Sequence, residues 1–214
     1  MGVAYLGQVG ENFVNATAST LAITTTAAAN VGTFLVCPAS VGAAASATSI
    51  SDSAGNTWNL VNTSPLVART MALFTCYVTS SLAASSTITI TYSANTLNRL
   101  AAVYAFTGIN RPTVTSATAQ GTGVSTLNTG NLAPTQYASL LFTAISKNNN
   151  AAYTTPTGWT RLPLNVSNIL DGYAYRIQPS TATQGTTWSW TGSYSAGQVS
   201  ATFTPDGGDF FSVM

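Results

Sequence analysis

A chain of 214 residues, 45% of them hydrophobic, carries enough apolar material for a core, and 5% charged residues with a net charge of +1 exclude charge-driven disorder. The six basic residues, Arg69, Arg99, Arg111, Lys147, Arg161 and Arg176, are scattered along the chain, so no nucleic-acid partner is expected. Polarity comes instead from 23 Ser and 36 Thr, and so nearly neutral a surface offers little electrostatic resistance to association.

In chain order, residues 1–12 (MGVAYLGQVGEN) are expected to form an N-terminal arm, without the basic n-region or apolar core of a signal peptide. Its Tyr5 and Leu6 are candidate assembly contacts. The body is expected over 13–205. TFLVCPA (33–39) and MALFTCYV (71–78) read as apolar strands carrying Cys37 and Cys76, two buried thiols whose pairing the sequence leaves open. Helix signal is thin: AAAN (27–30) and VGAAASA (41–47) are short and without caps or charge pairs. SDSAGNTWNLV (51–61) is a polar, glycine-containing turn that delivers Trp58 into a strand. STITITY (86–92) alternates strictly, with Ile88 and Ile90 on the buried face and Thr87, Thr89 and Thr91 on the other. LAAVYAF (100–106) is the longest apolar run, far short of the ~20 residues of a membrane-spanning helix, so no membrane partner is expected.

The second part of the chain repeats the first. GTFLVC aligns with ASLLFT (138–143), and Trp58 with Trp159, which likewise follows a glycine-containing turn, here Pro-Thr-Gly. RTMALFTCYV (69–78) aligns with LDGYAYRIQP (170–179), setting Ala72, Phe74 and Cys76 against Tyr173, Tyr175 and Ile177. STITITYS aligns with TTWSWTGS, which holds Trp188 and Trp190, and NRLAAVYAFTG with GQVSATFTP, which holds Phe203. Six elements in one order imply pseudo-repeats at about 13–110 and 119–205, with offset changes confined to loops. The fold class is therefore all-β: a single antiparallel β sandwich of jelly-roll type, ten to twelve strands built from two related halves. Trp58, Trp159, Trp188, Trp190, Ile88, Ile90 and Phe203 are expected in its core. Residues 206–214 form a C-terminal tail, whose Phe210, Phe211 and Val213 are further candidate assembly contacts.

Catalytic chemistry is missing. Without histidine the Ser-His-Asp and Cys-His routes are closed. Asp52 and Asp171, the acids within the body, read as turn residues that bond their own backbone rather than as a glycosidase pair. DSAGN (52–56) and DGGD (206–209) lack the ligand spacing of a Ca²⁺ loop, and two cysteines do not make a zinc site. No enzyme activity, cofactor or metal is expected.

The order DSAGNTWNLV, ALFTCYV, STITITYS, LAAVYAFTGI, PTGWTRL, VSATFTP resembles β-sandwich domains of tailed-bacteriophage virion proteins, among them head-decoration and minor tail proteins, and of some bacterial surface proteins. The likeness runs over roughly residues 13–205. It implies a non-enzymatic structural protein of the virion, assembled in the host cytoplasm and released by lysis, that contacts copies of itself and other capsid or tail proteins. The alternative is a carbohydrate-binding module for host adhesion. Trp188 and Trp190 with Tyr194, or Trp58 with Asn56 and Asn59, would then form an exposed platform for a host surface glycan.

Overall fold

Every regular element among the described residues is a strand, as a chain rich in Thr, Val, Ile and Tyr with a period of two requires. The computed structural model describes residues 2–42, 45–65, 68–109, 113–165 and 170–204. The first set of strands is β1 (Ala4–Val14), β2 (Ala18–Thr24), β3 (Phe34–Gly42), β4 (Ala47–Asp52), β5 (Trp58–Thr63), β6 (Arg69–Tyr77), β7 (Thr87–Thr96) and β8 (Arg99–Thr107). The second is β9 (Thr113–Leu127), β10 (Asn131–Leu132), β11 (Ser139–Lys147), β12 (Tyr153–Thr154), β13 (Thr160–Arg161), β14 (Asp171–Gln178), β15 (Gln184–Gly185) and β16 (Trp188–Thr204). The sixteen strands among the described residues exceed the ten to twelve expected.

All pairings are antiparallel. One sheet has the order β1-β8-β3-β6-β5 and a second has β2-β7-β4. The other set pairs in the same order. The first part of β9 lies on the last part of β16, followed by β11, β14 and β13. The end of β9 and β12 flank the start of β16, as β2 and β4 flank β7. In the first set the chain breaks between β1 and β2 and between β7 and β8, whereas β9 and β16 run on through both sheets with register shifts between Ser189 and Ala196. Even the small β10–β15 pair has its counterpart in the isolated Ala29–Leu82 bridge.

Three apolar clusters fill the spaces between these sheets. One lies between β1-β8-β3-β6-β5 and β2-β7-β4 and includes Leu35, Phe74, Val103, Ile88 and Ile90. A second lies inside the later set around Leu141, Ile145, Trp159, Trp188 and Trp190. The third joins the sets: Phe34, Leu73, Leu100, Tyr104 and Phe106 face Leu140, Phe142, Tyr173, Val199 and Phe203. Alternate residues of β3, β6, β8 and β11 therefore enter different clusters, and nearly every position on these strands is buried. Strands covered on both faces lose the alternation of polarity that a half-exposed strand displays.

Several boundaries differ from the sequence reading. Residues 4–12 do not form an arm but most of β1, an edge strand on β8. Register shifts between Tyr5 and Gly7 and between Gln8 and Gly10 break its alternation, which hid the strand. The second set begins at 113, not 119, because β9 starts there. The 101-residue alignment of β6 with β14 is also one residue out. Ala72, Phe74 and Cys76 face the first set's own core, whereas Tyr173 and Tyr175 face the space between the sets. A slip of one residue exchanges the two faces of a strand. Phe210, Phe211 and Val213 lie outside the described residues.

Candidate functional site

The loop between β4 and β5 explains the SDSAGNTW stretch. Asp52 Oδ1 accepts from the backbone N–H groups of Ala54 and Asn56 at 2.9 and 3.2 Å, closing a turn on itself. Its other oxygen accepts from Trp58 Nε1 at 2.8 Å. Asn56 is buried, accepts from the N–H groups of Thr79 and Ser80, and donates to the Ser80 carbonyl. The loop thus staples the entry of β5 to the exit of β6. Trp58, half-buried, leans on the core with its one polar atom engaged.

Trp159 stands immediately before β13, the counterpart of β5, and is buried with Nε1 donating to the Gly185 carbonyl at 2.9 Å. Trp188 is fully buried and donates to Thr143 Oγ1 at 3.1 Å. Trp190 is 6% exposed and donates to the Val124 carbonyl at 3.0 Å. Ile88, Ile90 and Phe203 are buried as well. No sugar platform is therefore formed by Trp188 and Trp190, whose rings pack edge-on against Tyr153. Beside Trp58, the amide of Asn56 is spent on protein partners.

Asp171 corrects the turn assignment. It opens β14, is fully buried, and lies 3.5 Å from Arg69, itself 3% exposed in its side chain. Tyr173 donates to its second oxygen at 2.5 Å. Arg69 also donates to Ser146 Oγ at 2.8 Å, Ser40 Oγ at 2.7 Å and the Asn98 carbonyl at 2.8 Å. Every polar atom of the guanidinium has a partner, which a buried charge requires. Asp52 and Asp171 sit in different sheets and share no hydrogen bond among those of the described residues. The Arg69–Asp171 pair escaped the sequence reading because its members are about a hundred residues apart.

Lys147 is a second unusual cation. Its Nζ lies 3.9 Å from the centre of the Tyr153 ring and donates to the Asn149 carbonyl at 2.7 Å and to that of Ala151. Burial, opposed by Asp171 and reinforced by Arg161, lowers its pKa to about 8. Burial also pushes Tyr153 and Tyr173 well above the usual phenol range, with Asp171 acting in the same direction. Cys37 and Cys76 are free and buried. Burial, and then the Asp52 charge, pushes the Cys76 thiol up to about 12, and burial raises Cys37 further. Neither thiol is an accessible nucleophile.

Clefts open on the surface, and two of them have contrasting linings. One of about 350 Å³, lined by Gly42, Arg69, Leu97, Asn98, Asn148 and Leu170, lies where the two strand sets meet. The other, about 360 Å³, is lined mainly by hydroxyls, including Thr154, Thr157, Thr187 and Ser189. No group of three metal-ligating side chains occurs among the described residues, and no described helix is long and apolar enough to cross a membrane.

The outer face of β2-β7-β4 is an ordered array of small neutral groups. Thr20 and Ser49 flank Thr91, Ala22 and Ser51 flank Thr89, and Thr24 faces Thr87. No charge stands among them. At the candidate contacts, Tyr5 is half-buried against Phe106 and Tyr175, at centroid distances of 5.4 and 5.2 Å, while Leu6 is 58% exposed. No known protein family, curated protein or solved structure matches this chain.

Proposed function

We propose that this chain is a non-enzymatic structural protein of a tailed-bacteriophage virion, which decorates the capsid or forms part of the tail through contacts with copies of itself and other virion proteins. The observation that carries this reading is the charge-free hydroxyl and methyl face of β2-β7-β4, presented by a chain whose aromatic rings and acid–base groups are spent largely on its own folding. Such a face suits packing against a neighbour without charge repulsion. We also propose that each set of strands is one copy of a jelly-roll unit and that the two arose by duplication, in keeping with the matching strand orders. The adhesion alternative gains no support from Trp188 and Trp190, which lie inside.

The test is detection of the chain by mass spectrometry in particles banded from a lysate of the cells that produce it, with heads and tails then separated. A stoichiometric presence in one fraction is expected. Its absence from particles while it is abundant in the lysate would remove the virion reading.

A further inference from the structure

We infer that the chain is a linked pair of complete sandwiches docked about an approximate twofold axis, and that the face which β1-β8-β3-β6-β5 and its counterpart β9-β16-β11-β14-β13 each turn inward is an interface for a second unit of its own kind. Each set has its own internal core, so neither needs the other to close a sandwich. The third cluster is what remains, an apolar layer between units.

The contacts across that layer are reciprocal strand for strand, though not residue for residue, as an approximate twofold axis allows. Phe34 of β3 packs on Phe203 of β16, and in exchange Phe142 of β11 packs against Tyr104 of β8, at centroid distances of 5.3 and 6.3 Å. On one flank, Asn62 of β5 donates to Ser116 of β9 at 3.0 Å. On the other, Asn165, just beyond β13, donates its backbone N–H to the Glu11 carboxylate of β1 at 3.0 and 3.1 Å. Val61 and Leu162, near the same place in the two sets, both pack into the layer. Arg69 gives the axis a physical mark. Ser40 stands opposite Met71 and Ser146 opposite Asp171, at the same end of equivalent strand pairs, and this one guanidinium donates to both serines.

The symmetry is broken where specificity would need it. Asp171 occupies the place that Met71 holds in the first unit, so the carboxylate facing Arg69 belongs to one side alone. Two first units pairing with each other would bring two Arg69 guanidinium groups to the axis without that acid. Unlike pairing is thereby favoured over like pairing. None of this geometry depends on where the chain works.

The test places a protease site between Ile109 and Thr113 of the full-length chain. After cleavage the protein is expected to elute as one species of the intact 22.0 kDa mass. The cleaved chain carrying Leu73→Glu is expected to elute as two smaller species, each keeping β-type circular dichroism and the tryptophan emission of its part of the intact protein. Val199→Glu repeats the separation from the opposite unit. Loss of β structure in both units once they separate would overturn the inference, because it would mean one shared core. Continued co-elution of both variants would overturn it too, because this layer would then not be what joins them.

Discussion

The ammonium of Lys147, under the Tyr153 ring, carries a charge that the fold disfavours through burial. A lysine whose pKa falls from 10.5 to about 8 releases its proton in the folded chain before the unfolded chain does. Between those values the unfolded state binds more protons, so this side chain's contribution to stability rises with pH across the window. Below it both states are charged and the penalty stays constant. The thiols act in the opposite sense. Cys37 and Cys76 ionise later than the ordinary 9.0 when folded, so above that value the unfolded state loses protons first and stability falls. The opposing slopes overlap, and a difference measurement separates them. The melting temperature of the natural chain minus that of Lys147→Met is expected to climb between pH 8 and 10.5. A difference that stays flat would mean that Lys147 keeps its ordinary pKa.

Single residues also mark how far the sequence could be read. The turn chemistry of Asp52 was legible because its partners, Ala54 and Asn56, are two and four residues away. Asp171 has the same side chain in a similar local setting. Its partner Arg69 lies 102 positions off and reaches it only once two sheets are stacked, so local sequence pointed the wrong way. The tryptophans of β16 were ambiguous for a related reason: alternation establishes that Trp188 and Trp190 share a face, not which face is covered.

Among the elements, strands with one wet face were the easiest to recognise. In β7, isoleucines and threonines alternate because Ile88 and Ile90 enter a core while Thr87 stays outside. The central strands β3, β6, β8 and β11 are apolar on both faces, so nothing in them fixed the register, and the alignment of β6 with β14 slipped by one. β1 was missed because its two irregularities interrupt the period of two. Strand β16 carries a constraint of its own at Gly197. A Cβ there would sit 2.5 Å from Ser64 Oγ and 2.9 Å from the Arg69 carbonyl, atoms of the other unit. Gly197→Ala is expected to destabilise the protein by ~1–3 kcal/mol, through overpacking that rigid backbone relieves poorly. Gly185→Ala is the control, since its nearest neighbour would be 3.7 Å away. Equal urea midpoints for the two variants would show that the units are not packed so closely at β16.

For the molecule as a whole, the all-β class was legible, while the stacking of the sheets was not. Repeats in a sequence do not say whether each contributes one sheet to a shared sandwich or closes a sandwich of its own. Deciding it takes the pairing of β2 with β7 and of β9 with the start of β16, which puts a core inside each set. The consequence is a gradient of burial from the middle outwards. β3, β6, β8 and β11 have protein on both faces, and β2, β4 and β7 have solvent on one. Opening free energies follow such gradients, with the outer elements exchanging through smaller fluctuations.

Amide hydrogen exchange on the intact chain reads that gradient strand by strand. The slowest exchange is expected in β3, β6, β8 and β11 together, with β7 exchanging well before them although it too is paired on both sides. Protection in β7 equal to that of the central four, or a first set whose five-stranded sheet exchanges as fast as its outer sheet, would contradict an apolar layer between two docked sandwiches.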